Sequence, residues 1–166
     1  MEMTEFVNLT RKILQDYGFK KIANRYYLNL ERMVISLYFM AAINNTGAKA
    51  FLCEYCFKDI HEDYRFEKND DFKHMPTDRG SFPFWKSSEI LHADNGKPYK
   101  KWAFYPQDYT EAKWTRILTE MLNKYVTPFK DNFEKQIQKV TVSISDFCIC
   151  VQAYDALVAK GVIHKK

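Results

Sequence analysis

Four cysteines are the residues of this sequence most suited to metal or redox chemistry. Cys53 and Cys56 have the C-x2-C spacing of zinc knuckles, whereas Cys148 and Cys150 are spaced C-x-C and are predicted to lie on a helix. Residues three apart on a strand point to opposite faces of the sheet, so Cys53 and Cys56 should diverge. Because a structural zinc site needs four converging ligands, we interpret the cysteines as reduced, small apolar core residues. We therefore expect no metal and no other cofactor.

The histidines show no recognisable catalytic arrangement. His61 and His74 could complete a zinc site with the first cysteine pair, but no spacing pairs any two of His61, His74, His92 and His164. The sequence lacks the motifs of zinc proteases, serine hydrolases, phosphate-binding loops and dinucleotide-binding folds. Asp78, in a turn-like stretch, is interpreted as bonding its local backbone. We assign no catalytic residue and favour a non-enzymatic protein.

The strongest binding signal is a pair of aromatic and basic segments, Phe82–Lys86 and Tyr99–Trp102. Aromatic rings interleaved with lysines can stack on bases or anchor a protein partner. The first lies within the stretch from Glu62 to Lys100, where periodicity fades and most residues should form loop, and the second spans the end of this stretch. The predicted binding residues are Arg79, Trp85, Lys86, Tyr99, Lys101 and Trp102. The alternative is that this loop folds back and buries its aromatics as a satellite core.

The elements around these residues are predicted from hydrophobic periodicity. Apolar residues at three- and four-residue spacing indicate a helix from Glu5 to Tyr17, with Thr4 as its N-cap and Gly18 after its end. The run Met33–Met40 is apolar on both faces, which predicts a central strand covered on two sides.

The remaining strands and helices complete an α+β pattern. Further strands are expected in Ile22–Leu30, Phe51–Lys58 and Lys101–Tyr105. Helices are expected over Trp114–Tyr125, from near Pro128, and over Asp146–Lys160. We predict a single domain over 1–166: an antiparallel sheet of about four or more strands, with an N-terminal helix and a C-terminal helical group packed on it.

Charge and hydropathy restrict the cellular setting. The formal net charge is +4, yet the segment from Phe51 to Gly96 holds ten acidic and six basic residues, so the basic excess lies at the two ends. This mild balance favours a mixed, solvated surface over a dedicated polyanion site. The sequence shows neither a signal peptide nor the ~18 continuous apolar residues that a membrane helix needs. We expect a cytoplasmic protein that does not bind membranes.

Several segments together resemble a known family. They are Phe6–Leu14, the stretch Tyr17–Lys21, the tyrosines Tyr26 and Tyr27, the strand from Phe51, Trp102 ahead of a helix, and Leu122–Phe129. This pattern resembles the bacterial family known as domain of unknown function 4304, although the segment from Glu62 to Lys100 departs from it. The resemblance implies a bacterial protein with the arrangement above, and it transfers no functional residue.

These observations favour a protein-interaction module, of an accessory or immunity type, with a protein as its partner. The first alternative is a nucleic-acid-associated protein that uses the basic and aromatic loop residues; the second is an enzyme with a scattered site. A steep salt dependence of oligonucleotide binding would distinguish a nucleic-acid partner from a protein partner.

Overall fold

The described part of the chain has helices at both ends and strands between them. The computed structural model describes residues 1–41, 49–79, 103–104, 107, 109–143 and 147–165. The strands are β1 (Lys20–Ile22), β2 (Arg25–Asn29), β3 (Met33–Ala41), β4 (Lys49–Phe57) and β5 (Ala103–Phe104). The helices are α1 (Met3–Asp16), α2 (Asn69–Lys73), α3 (Glu111–Tyr125), α4 (Thr127–Asp131), α5 (Phe133–Ile137) and α6 (Val151–Ala159), and a 3-10 helix (Lys58–Ile60) follows β4.

The strands form one antiparallel sheet in the order β1-β2-β3-β4-β5. Its register places Leu37 of β3 opposite Tyr26 of β2 and Cys53 of β4. Together with the terminal helices, this sheet confirms the predicted α+β class. The predicted strand from Lys101 to Tyr105 is present over the two residues of β5.

β3 is covered on both faces, as its apolar sequence predicted. Met33, Ile35 and Leu37 belong to the main core, which the sheet forms with the helices. Val34 belongs to a second apolar cluster, whose members are Ile22, Tyr27, Val34, Cys56, Phe66 and Phe72. Because every residue from Met33 to Leu37 is at most 1% exposed, the prediction is confirmed over this part of the strand.

α1 packs on α3 through an apolar stripe and one buried hydrogen bond. Trp114 Nε1 donates to Thr10 Oγ1 over 2.9 Å. α1 begins at Met3, earlier than predicted, and the Glu5 carboxylate accepts a hydrogen bond from the Glu2 N–H over 3.0 Å at this end. Gly18 follows the helix with a φ of +97°, the left-handed conformation expected after a helix end.

The last helix starts later than its sequence predicted. α6 begins at Val151 rather than Asp146, so the placement of Cys148 and Cys150 on a helix was wrong. Cys148 forms a parallel bridge with Thr141, and the Cys150 N–H donates to the Asp78 carbonyl over 3.1 Å. The residues on either side of Cys148 bond to Thr141, and Cys150 bonds to Asp78, so these backbone groups do not make helical hydrogen bonds. The predicted end is confirmed, since Gly161 follows with a φ of +72°.

The segment predicted to be mostly loop, from Glu62 to Lys100, is described as far as Arg79. This part contains the five-residue helix α2, and Phe66 and Phe72 lie in the second apolar cluster. No helix among the described residues combines the length and the apolar character needed to cross a membrane.

Candidate functional site

Of the six predicted binding residues, the structure describes Arg79. Its side chain is exposed, and its carbonyl accepts a hydrogen bond from the Tyr55 N–H over 3.0 Å. Its φ of +68° is unusual for a residue other than glycine. The others, Trp85, Lys86, Tyr99, Lys101 and Trp102, lie outside the described residues, so their role stays a prediction.

The first cysteine pair diverges, as strand geometry predicted. Cys53 points into the main core and Cys56 into the second apolar cluster on the opposite face of β4. Burial raises the pKa of each thiol to about 12. Neither thiol is therefore a thiolate nucleophile near neutral pH in this structure. The two cysteines do not form a joint site.

Asp78 is hydrogen-bonded to the last residues of β4 through both its backbone and its side chain. Its N–H donates to the Tyr55 carbonyl over 2.8 Å, and its Oδ2 accepts from the Phe57 N–H over 2.8 Å. Its carbonyl accepts the hydrogen bond from Cys150 described above. The expectation that Asp78 bonds its local backbone was wrong, because its carboxylate bonds a residue 21 positions earlier. Asp78 thus joins the loop, β4 and the start of α6.

His61 completes the surroundings of the Asp78 carboxylate. His61 Nε2 lies 2.7 Å from Asp78 Oδ1, and the two side chains are 22% and 5% exposed. Burial raises the pKa of Asp78, while the hydrogen bonds from Phe57 and His61 act in the opposite direction. The carboxylate is therefore held in a largely dry environment with one partly exposed polar neighbour.

Cys56 lies next to this pair. One ligand atom from each of Cys56, His61 and Asp78 falls within 4.8 Å of the other two. The three residues come from the end of β4, the residue after the 3-10 helix, and the segment paired with the edge of β4. Sequence reasoning considered Cys56 and His61 for a metal site but missed Asp78, because nothing near Asp78 in the chain points to β4.

A second feature is an apolar groove between α1 and the β1–β2 hairpin. It has a volume of about 260 Å³ and is lined by Met3, Phe6, Val7, Thr10, Lys21, Asn24, Tyr26 and Phe39. Met3 and Val7 are 39% and 38% exposed, whereas Phe6 below them is buried in the main core. The groove is therefore a solvent-accessible apolar surface that lies directly over the main core.

The polar side of the groove is basic. Lys21 Nζ lies 5.9 Å from the centre of the Tyr26 ring. Burial raises the pKa of Tyr26, and the positive charge of Arg11 acts in the opposite direction. The hydroxyl oxygen of Thr10 accepts the hydrogen bond from Trp114, so this oxygen is engaged in the core contact between α1 and α3. None of the lining residues is acidic, so Lys21 supplies the one formal charge among them.

Comparison with known proteins found no matching family model, no matching curated protein and no matching solved structure. The resemblance to the bacterial family named above therefore stays a prediction.

Proposed function

We propose that this chain is a non-enzymatic protein-interaction module, and that its groove between α1 and the β1–β2 hairpin binds a partner segment that carries an apolar side chain beside an acidic one. The observation that carries this proposal is the placement of exposed Met3 and Val7 around an apolar groove whose charged lining residue is Lys21. Methionine adapts its shape to different partners, which suits a recognition surface.

The size of the groove favours an anchoring side chain over a small-molecule cofactor. Ligand pockets usually measure about 300–1,000 Å³, and this groove, with about 260 Å³, falls below that range. Burying one leucine, methionine or phenylalanine side chain contributes about 1.5–3 kcal/mol. A carboxylate near Lys21 would add orientation and speed of association more than affinity. The module should therefore bind a short segment weakly.

The test is a selection of random peptides on the full chain, followed by fluorescence anisotropy of the selected peptides after labelling. We expect selected peptides to contain a large apolar residue flanked by Asp or Glu. Val7→Glu should weaken their binding at least tenfold, whereas Val151→Glu should not, although Val151 is also an exposed helical valine.

Charge provides a second matched pair. Lys21→Glu should weaken binding, and Lys20→Glu should not, because successive residues of β1 point to opposite faces and Lys20 bonds to Asn69 instead. Equal effects of the two substitutions would contradict binding in the groove. If no peptide is selected and oligonucleotides bind with a steep salt dependence, the proposal is wrong and the nucleic-acid alternative is favoured.

A further inference from the structure

We propose that Cys56, His61 and Asp78 form a binding site for Zn²⁺ or a similar transition-metal ion, separate from the groove. Their ligand atoms lie within 4.8 Å of one another, although the residues belong to three different segments. The sequence alone favoured no metal, but that expectation considered a site built on both Cys53 and Cys56. The structure removes Cys53 from the site and adds Asp78.

The donor atoms select the class of ion. One thiol sulfur, one imidazole nitrogen and one carboxylate oxygen match the ligands that zinc prefers. Calcium and magnesium prefer sites made of oxygen atoms, and this site offers one carboxylate. Three protein ligands leave a tetrahedral ion its fourth position for water or an external ligand. The side chain of His61 is 22% exposed, so an ion would reach the site from solvent on the side of His61.

The distances between the three ligand atoms are close to those of an occupied zinc site but do not equal them. Zinc bonds of about 2.0–2.3 Å place tetrahedral ligand atoms roughly 3.3–3.8 Å apart. His61 Nε2 and Asp78 Oδ1, now 2.7 Å apart, would separate by less than 1 Å. The ligand atoms now up to 4.8 Å apart would approach by roughly 1 Å. Movements of this size are within the reach of side-chain rotation at the three residues.

Hydrogen bonds already orient the Asp78 carboxylate toward the proposed site. The Phe57 N–H binds Asp78 Oδ2 and leaves Oδ1 directed at His61. Such outer hydrogen bonds orient metal ligands and raise affinity. Binding would replace the thiol proton of Cys56 by the ion and release that proton to solvent. The cation would also neutralise a carboxylate that is buried away from water.

The test is titration of the reduced, chelator-treated full chain with Co²⁺, followed by displacement with Zn²⁺. We expect one equivalent of Co²⁺ to produce a thiolate charge-transfer band in the near ultraviolet and the visible absorption of a tetrahedral ion. Zn²⁺ should abolish both signals and raise the thermal unfolding temperature.

Matched substitutions locate the site. Cys56→Ser and His61→Gln should weaken Co²⁺ binding at least 100-fold and remove the charge-transfer band. Cys53→Ser and His74→Gln should leave both unchanged, because Cys53 faces the main core and His74 is an exposed residue outside the cluster. His61→Gln carries the test if Cys56→Ser does not fold, since His61 is partly exposed.

The proposal is overturned if Co²⁺ gives no thiolate band in the unmodified chain, or if the band survives His61→Gln. It is also overturned if Cys53→Ser removes the band as fully as Cys56→Ser does. Peptide binding is a separate measurement, so failure of the metal site leaves the groove untouched.

Discussion

Truncation of β3 on each of its two faces provides the most direct test of this fold. Leu37 projects into the main core and Val34 into the second apolar cluster, and both are at most 1% exposed. Leu37→Ala should lower the free energy of unfolding by about 2–5 kcal/mol, the usual range for truncation of a buried leucine. Val34→Ala removes two methyl groups and should lower it by about 1.5–3 kcal/mol.

These losses are large relative to the whole stability of a domain, which is typically about 5–15 kcal/mol. Urea unfolding measured by circular dichroism gives the free energies, provided that the slopes with denaturant stay equal among variants. Val151→Ala is the control, because Val151 is 54% exposed and its truncation should change stability by less than about 0.5 kcal/mol. If Val34→Ala costs as little as this control, the second face of the sheet is not covered, and the reasoning about β3 fails.

Three further perturbations test particular contacts. Thr10→Val leaves the indole N–H of Trp114 buried without its acceptor and should cost about 1–3 kcal/mol in urea unfolding; an unchanged midpoint would contradict a role for this bond. In native, chelator-treated protein, Cys53 and Cys56 should react with a thiol reagent more slowly than the half-buried Cys148 and Cys150, because burial raises the pKa of Cys53 and of Cys56 to about 12. Mass spectrometry of the digested protein identifies the labelled residues. Early labelling of Cys53 or Cys56 would contradict their burial. Gly161→Ala places a Cβ in a residue with a φ of +72° and should lower stability by about 1 kcal/mol although space is free around it; a gain in the melting temperature would refute the strain argument.

The orientation of side chains within each element could be predicted from the sequence. The two-residue period of β4 was enough to predict that Cys53 and Cys56 face opposite sides of the sheet. The apolar run of β3 likewise predicted burial on both faces. These properties follow from neighbouring residues and the geometry of one strand, so no knowledge of distant contacts was needed.

The candidate sites depended on contacts between distant segments. Residue spacing gave no sign that the Asp78 carboxylate would bond the Phe57 N–H, 21 residues earlier, or that this contact would bring Asp78 to His61 and Cys56. The groove likewise requires α1 to lie beside the β1–β2 hairpin. The sequence pointed instead to the aromatic loop, because binding residues often lie on loops held by a rigid scaffold.

The α+β class, the faces of β3 and β4, and the end of α6 at Gly161 could all be predicted from local sequence patterns. The start of α6 and the polar side chains that meet at the edge of β4 depend on the folded chain. The difference lies in the range of the interactions. Hydrophobic periodicity and glycine conformation act over a few residues and can be read locally. A hydrogen bond between distant segments depends on how the whole chain satisfies its buried polar groups.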